Sequence, residues 1–184
     1  MAFVESEVVE LKAEIVGDIC KEVIAFANTK GGTLYIGVNN DGSVVGVKNA
    51  DQVILQMNNM IRDSIKPDVT MFVGYEAQHV SDKDIIAVTI QKGTDRPYYL
   101  SSKGLKPSGV YVRNGTSSDP ATDTAIRRMI KETDGDSFES MPSLEQNLSF
   151  EAAEKQFEKQ NIPFDAAKMQ TLGMISADGI YSNV

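Results

Sequence analysis

The side chains that most often act as nucleophiles or metal ligands are scarce in this sequence. Among 184 residues there is one cysteine, Cys20, and one histidine, His79. Two such residues are too few for a structural zinc site, and they do not form a Cys-His or Ser-His catalytic arrangement. Cys20 lies in an apolar helical pattern and is predicted to be buried, whereas His79 lies near the junction of two predicted strands and is predicted to be at the surface.

The adjacent glycines Gly31 and Gly32 are a candidate ligand-binding feature. Glycine adopts backbone conformations that other residues avoid and leaves its amides uncovered, so this pair could receive a phosphate. The alternative is a helix C-cap followed by entry into a strand. A phosphate-binding NTPase loop is excluded because no Gly-Lys-Ser/Thr follows and because the predicted order is helix then strand. We therefore predict no ATP binding and no cofactor.

Basic side chains are the remaining candidates for chemistry, as contacts to nucleic-acid phosphates. We select Lys12, Lys30, Lys103, Lys106 and Arg113. Each of these could instead be a solvated surface charge. For Arg113, a structural ion pair with Glu10 is an open alternative.

Composition and charge limit the class of protein. Hydrophobic residues make up 41% and charged residues 24%, which is typical of a globular protein. The formal net charge of −8 disfavours nucleic acid, since phosphate contacts supply most non-specific affinity. Residues 131–184 hold ten Asp/Glu and four Lys/Arg, whereas residues 90–130 hold seven Lys/Arg and three Asp/Glu, a net of +4. The second segment is predicted to form a local basic face.

Hydrophobic patterning predicts an α+β fold, with a mixed β-sheet packed against helices. In the first part of the chain we expect a helix over 17–28, a strand over 33–38, a hairpin turn to a partner strand over 43–47, and a helix over 51–65. Two strands follow over 71–80 and 84–91, the second central because its apolar run is almost continuous. A last pair of strands is expected over 97–100 and 109–113, before a helix that ends near residue 133.

The domain organisation follows from the same pattern. Residues 3–133 are predicted to form one domain, and the acidic, polar segment 134–149 a linker. Residues 150–184 are predicted to be a helical extension and the start of a truncated following domain. The start of the chain lacks the basic and apolar regions of a signal peptide, and no apolar run reaches the ~18 residues of a membrane span. We expect a cytoplasmic protein without membrane contact.

Three segments, in this order and spacing, resemble the Schlafen AlbA-type domain, a DNA-binding domain found at the N-terminus of bacterial transcriptional regulators. They are ESEVVELK at 5–12, AFANTKGGTLYIGV at 25–38 and GVYVRNGTSS at 109–118. The resemblance covers about residues 3–130, and the middle segment is its specific part. It implies an Alba-like fold, pairing into homodimers, and a connection after about residue 145 to an ATPase-like or winged-helix region.

The resemblance implies a non-catalytic nucleic-acid-binding domain of a transcriptional regulator, with DNA as the expected partner. The residues expected to bind it are Lys12, Lys30, Gly31, Gly32, Lys103, Lys106 and Arg113. An interaction or oligomerisation module is the alternative, because the overall acidity disfavours DNA.

A metal-dependent nuclease is the enzymatic alternative. Some Schlafen proteins resemble nucleases, with two glutamates five residues apart near the domain start and an aspartate at a strand end that together hold a divalent metal. Glu5 and Glu10 have this spacing, but Asn39 stands where the third carboxylate is expected. Asparagine coordinates hard cations only weakly. We therefore predict no metal site and no catalysis.

Overall fold

The chain folds into two units, which a computed structural model describes for residues 3–134, 143, 146–175 and 179–182. The first unit is Met1–Thr133 and the second is Asp134–Val184. Up to the unit boundary the elements are, in chain order, β1 (Val9–Lys12), α1 (Ile19–Asn28), β2 (Gly32–Ile36), α2 (Ala50–Ser64), β3 (Ile65–Lys66), β4 (Val73–Val80), β5 (Lys83–Ile90), β6 (Tyr99–Leu100), β7 (Tyr111–Asn114), β8 (Ser117–Pro120) and α3 (Asp123–Asp134).

A four-stranded mixed sheet in the order β1-β2-β5-β4 forms the centre of the first unit. Strand β1 is parallel to β2, whereas β2 and β4 are antiparallel to β5. The inner strands β2 and β5 are therefore paired on both sides, and their side chains Leu34, Ile36, Ile86 and Val88 are fully buried. The predicted α+β fold with a mixed sheet is confirmed, as is the inner position of the apolar strand.

Helices α1 and α2 pack on the sheet through one apolar cluster. It joins Val23 and Phe26 of α1, Met57 and Ile61 of α2, and Val88 of β5, all fully buried. Burying a side chain of this size contributes roughly 1.5–3 kcal/mol, so the cluster is a large source of stability.

The predicted positions of the two helices agree with the structure to within two residues at each end. Cys20 is buried in α1, and burial raises the pKa of its thiol to about 11. The thiol is therefore protonated at neutral pH. His79 is exposed on β4, with Nδ1 2.8 Å from Asp84 Oδ1.

The prediction of a partner strand over 43–47 is wrong. Val44 forms only an isolated bridge with Val38, and φ is 93° at Gly37 and 77° at Gly46. A strand needs extended backbone, so these two glycines end the pairing. The amides of Val45 and Gly46 both donate to Gly37 O at 2.9 Å. Strand β2 pairs with distant parts of the sequence instead.

The predicted pairing of 97–100 with 109–113 is also wrong. Strand β6 pairs with β3, directly after α2, and β7 pairs with β8. Gly115, with φ of 61°, allows a tight turn from β7 into β8, so a local partner replaces the distant one. The hydrogen bond from Leu100 N to Gly109 O, 2.9 Å, still links the two segments.

The second unit contains the helices α4 (Glu151–Lys159) and α5 (Ala166–Thr171). Its aromatic rings pack together, with ring centroids 5.0 Å apart for Phe157 and Phe164. These helices agree with the helical pattern predicted for this part of the chain. Most of the predicted linker lies outside the described residues, so the predicted domain bounds stay predictions. No helix among the described residues is long and apolar enough to cross a lipid bilayer.

Candidate nucleic-acid interface

The buried side chain of Asn28 fixes the end of α1 to the segment that contains Arg96. The Asn28 amide nitrogen donates to the carbonyl oxygens of Tyr98 and Tyr111 at 2.9 and 3.0 Å, and its amide oxygen accepts from Tyr98 N at 2.7 Å. Gly93 N donates to a carbonyl of the last turn of α1 at 2.9 Å. The backbone on both sides of Arg96 is therefore held in place.

Gly31 and Gly32 complete the turn from α1 into β2. Gly31 has φ of 78°, and its amide donates to Phe26 O at 2.9 Å. A Cβ on Gly31 would lie 2.6 Å from Ile90 O, and one on Gly32 would lie within 2.5 Å of the Phe26 ring. Both positions therefore need glycine for the turn and its packing. The use of the Gly31 amide inside the protein supports the C-cap alternative over a phosphate contact at that atom.

A buried group of charges connects β1, α1, β7 and β8. We call it the Arg113 cluster and define it as Arg113, Glu10, Glu22, Ser118 and Lys12. Arg113 Nη1 donates to Glu10 Oε2 at 2.9 Å, to Glu22 Oε2 at 3.2 Å and to Ser118 Oγ at 3.1 Å. Ser118 Oγ donates in turn to Glu22. Glu10 Oε1 accepts from Lys12 Nζ at 2.5 Å. The ion pair between Arg113 and Glu10, left open by the sequence, is confirmed.

Further contacts hold Arg113 in place. Its Nη2 donates to Ser6 O at 2.8 Å, and its guanidinium carbon lies 4.7 Å from the centre of the Phe26 ring. The Arg113 side chain is 0% exposed. This arginine therefore joins four elements of the fold, and its charge is compensated inside the protein.

Burial and charge shift the pKa values of two members of the Arg113 cluster. Burial raises the pKa of the Glu22 carboxyl, and the hydrogen bond from Ser118 only partly offsets this effect. Burial would lower the pKa of Lys12, but the hydrogen bond and the charge of Glu10 outweigh it, so that pKa is raised. Lys12 is therefore a protonated partner of Glu10.

A groove of about 450 Å³ opens at the surface of the first unit. We call it the Arg96 groove and define it by the charged residues that line it, Lys30, Arg96, Arg113, Arg128, Glu7 and Glu132. The charge of Arg113 is compensated by Glu10 and Glu22. The three remaining cationic side chains, Lys30, Arg96 and Arg128, exceed the two acidic ones by one, so the groove is slightly positive although the chain is negative. Such a concave basic surface favours anions.

The other cations of the Arg96 groove have fewer hydrogen-bond partners than Arg113 has. Arg96 Nη2 donates to Glu132 Oε2 at 3.3 Å, and the other oxygen, Oε1, accepts from Arg128 Nε at 2.8 Å. Lys30 pairs with Glu7 at 2.9 Å. The side chains of Lys30 and Arg128 are 68% and 80% exposed. Exposed ion pairs of this kind contribute little stability, and they exchange readily with other partners.

The predicted cations lie in three places. Lys30 and Arg113 line the Arg96 groove, and Lys12 belongs to the Arg113 cluster. Lys103 and Lys106 are exposed in the loop after β6 and are not among the residues that line the groove. Lys103 Nζ donates to Tyr111 Oη at 3.3 Å. The seven predicted site residues therefore do not form a single surface patch.

Two residues of the nuclease alternative, Glu10 and Asn39, have partners within the protein. Both carboxylate oxygens of Glu10 are in ion pairs, with Lys12 and Arg113. Asn39 Nδ2 donates to Ser43 Oγ at 2.9 Å. Among the described residues, no three His, Cys, Asp or Glu side chains converge where they could hold a metal ion. The nuclease alternative is untested and stays a prediction.

Sequence reasoning missed Arg96 and Arg128 as individual site residues. Both contribute to the basic excess of residues 90–130, and this excess was the signal that could have found them. Their shared contact with Glu132 depends on how α3 lies against the segment that Asn28 holds. Periodicity within α3 alone does not reveal that contact.

Comparison with known proteins identifies a family and supports the fold. The family model described as Schlafen, AlbA_2 matches residues 5–122. The DIP2311 protein of Corynebacterium diphtheriae has a similar structure, with a TM-score of 0.52 and 17% identity, over 96% of this chain and 34% of that chain. This chain therefore spans about one third of that protein's length, and the likeness concerns the fold alone.

A second solved structure is the N-terminal domain of a Nitrosomonas europaea protein described as related to the ATP-dependent DNA helicase RecG. It has a TM-score of 0.45 and 25% identity, over 62% of this chain and 82% of that chain. No curated protein matches this chain.

Proposed function

This chain belongs to the Schlafen AlbA_2 family, and on that premise we propose that its first unit binds nucleic acid through the phosphate backbone at the Arg96 groove. The observation that carries the proposal is the groove itself, which is lined by the cationic side chains of Lys30, Arg96 and Arg128 and by the buried Arg113. Phosphate contacts supply most non-specific affinity for nucleic acid. A basic groove on an acidic protein provides such contacts locally.

The affinity is expected to be weak and strongly dependent on salt. Glu7 and Glu132 already pair with the groove cations, so phosphates must compete with them. Three to five phosphate contacts give a slope of log affinity against log salt of roughly −3 to −4.5. We expect nucleic-acid binding to be independent of divalent metal ions.

The proposal extends to the biological context implied by the resemblance. We propose that the partner is DNA, that the domain serves a cytoplasmic transcriptional regulator, and that two copies associate. Light scattering tests the last point. A mass near twice 20.1 kDa at high protein concentration supports a dimer, and a mass of one chain contradicts it.

Fluorescence anisotropy tests the binding function. The protein is titrated into labelled duplex DNA, single-stranded DNA and single-stranded RNA of the same sequence, at two salt concentrations. Salt-sensitive binding to at least one of these supports the proposal, and the comparison identifies the preferred nucleic acid. If none binds at low salt, the proposal fails and the interaction-module alternative gains support.

A second experiment, with and without divalent metal ions, distinguishes binding from nuclease activity. The same nucleic acids are incubated with magnesium, with manganese or with a chelator, and their lengths are followed on a gel. We expect unchanged length and unchanged affinity in all three conditions. Metal-dependent degradation by the pure protein, lost in Glu5→Gln, would establish the nuclease alternative instead.

A further inference from the structure

Resting on the proposed function, we propose that the Arg96 groove contains a defined phosphate-binding site, in which the Glu132 carboxylate takes the place of a phosphate group in the free protein. The site would consist of Arg96 and Arg128, with Arg113 behind them. Its ligand is a phosphate group, either an internal phosphate of a nucleic-acid strand or a terminal or free phosphate.

An Arg96 side chain with few hydrogen-bond partners is the first argument. Nε of Arg96 is buried without a hydrogen-bond partner among the described residues. The Arg96 side chain is 12% exposed. A buried N–H without an acceptor carries a free-energy cost. A phosphate has more acceptor oxygens than a carboxylate, so in the place of Glu132 it can accept more hydrogen bonds from the Arg96 and Arg128 guanidinium groups.

The position of Glu132 is the second argument. Its two oxygens accept from two different arginines, Oε2 from Arg96 at 3.3 Å and Oε1 from Arg128 at 2.8 Å. Arginines bind the oxygens of a phosphate group in a similar way, with each guanidinium group donating to a different oxygen. The Glu132 side chain is 39% exposed, so it can turn into solvent when a ligand of higher charge displaces it.

The fixed backbone around Arg96 is the third argument. Asn28 bonds to both backbone groups of Tyr98, and Gly93 N bonds to the last turn of α1. Arg96 is thus supported by two attachments to a buried helix. A site whose supporting backbone is already ordered loses less entropy when it binds.

Two pairs of matched variants test the site. Glu132→Gln removes the competing charge from the groove, and Glu76→Gln removes an equal charge from an exposed position on β4. Arg96→Lys keeps the charge but removes Nε and the planar fork, and Arg62→Lys makes the same change on the exposed surface of α2. Thermal unfolding of each variant shows whether it is folded. If Arg96→Lys does not fold, the comparison of Glu132→Gln with Glu76→Gln still tests the phosphate site.

Three ligands are used as probes. Inorganic phosphate is titrated by calorimetry at constant ionic strength, with chloride as the balancing anion. A single-stranded oligonucleotide with a 5′-hydroxyl and the same oligonucleotide with a 5′-phosphate are titrated by anisotropy. Tighter binding of the 5′-phosphorylated strand assigns the site to a terminal phosphate, and equal affinity assigns it to an internal one.

We expect Glu132→Gln to bind the oligonucleotide about fivefold more tightly than Glu76→Gln, and Arg96→Lys to bind about fivefold more weakly than Arg62→Lys, the effect of about one hydrogen bond. If nucleic acid binds but Glu132→Gln behaves like Glu76→Gln, the phosphate site is wrong and the proposed function stands. If inorganic phosphate binds more tightly to Glu132→Gln but no nucleic acid binds, the site stands and the proposed function fails.

Discussion

The Arg113 cluster and the Arg96 groove both pair arginine with glutamate, yet the two arginines have very different surroundings. Arg113 is fully buried, makes hydrogen bonds to three side chains and one backbone oxygen, and lies against the Phe26 ring. Arg96 is also mostly buried, but the described hydrogen bond of its side chain is one contact of 3.3 Å with Glu132. The first arginine is committed to the fold, whereas the second has donors available for a ligand.

The comparison shows that residue type does not separate structural from available cations. Both arginines lie in the basic segment 90–130 of the sequence. What distinguishes them is the number of hydrogen-bond partners that each has within the protein. A buried charge with several partners inside the protein is costly to disturb. A partly partnered one can exchange an internal carboxylate for an external anion.

Removing Arg113 should have the largest effect. Arg113→Met leaves Glu10 and Glu22 buried without their shared cation, and we expect it to lower the free energy of unfolding by about 3–5 kcal/mol. Urea denaturation followed by circular dichroism measures this, with Arg62→Met as the control on the exposed surface of α2. A loss equal to that of the control would show that the cluster does not hold the fold together.

Removing Asn28 should have the next largest effect. Asn28→Ala leaves two carbonyls and one amide without their partner, and we expect a loss of about 2–4 kcal/mol in the free energy of unfolding. The matched control is Asn114→Ala, at an exposed position of β7. Equal denaturation midpoints for the two variants would contradict the role of Asn28 in fixing the Arg96 segment.

These residues also show how far the sequence predicts the structure. The helices and the two inner strands follow from local periodicity, because their apolar faces repeat within a few residues. The partners of β6 and β7 cannot be predicted in this way, because strand pairing depends on where the chain turns. The turn at Gly115 pairs β7 with β8. The basic excess of residues 90–130 is visible in the sequence. The contact of Arg96 and Arg128 with Glu132 is tertiary and leaves no pattern in the sequence.

The raised pKa of Glu22 predicts a pH dependence within the Arg113 cluster. The folded protein binds the Glu22 proton more tightly than the unfolded chain does, whose pKa is near 4.5. The contribution of Glu22 to stability is thus complete below that pH and decreases as the pH rises through the folded pKa. In Glu22→Gln this decrease should be absent. Denaturation midpoints of both proteins measured from pH 4 upward provide the test.

A constant difference between those midpoints across this pH range would contradict the raised pKa. The lowered pKa of Glu132, caused first by the hydrogen bond from Arg128, has the opposite sign. Its contribution to stability is present above its ordinary pKa and is lost as the pH falls. Comparing each protein with its own glutamine variant separates the two effects.

The salt dependence of nucleic-acid binding tests the role of the Arg96 groove most directly. Two double variants each remove two positive charges, Lys30→Gln with Arg128→Gln in the groove and Lys103→Gln with Lys106→Gln in the loop after β6. Each lost phosphate contact reduces the slope of log affinity against log salt by about 0.9. We predict that the groove variant flattens the slope by about 1.8 and that the loop variant flattens it less. An unchanged slope in the groove variant, with a flattened slope in the loop variant, would contradict the account.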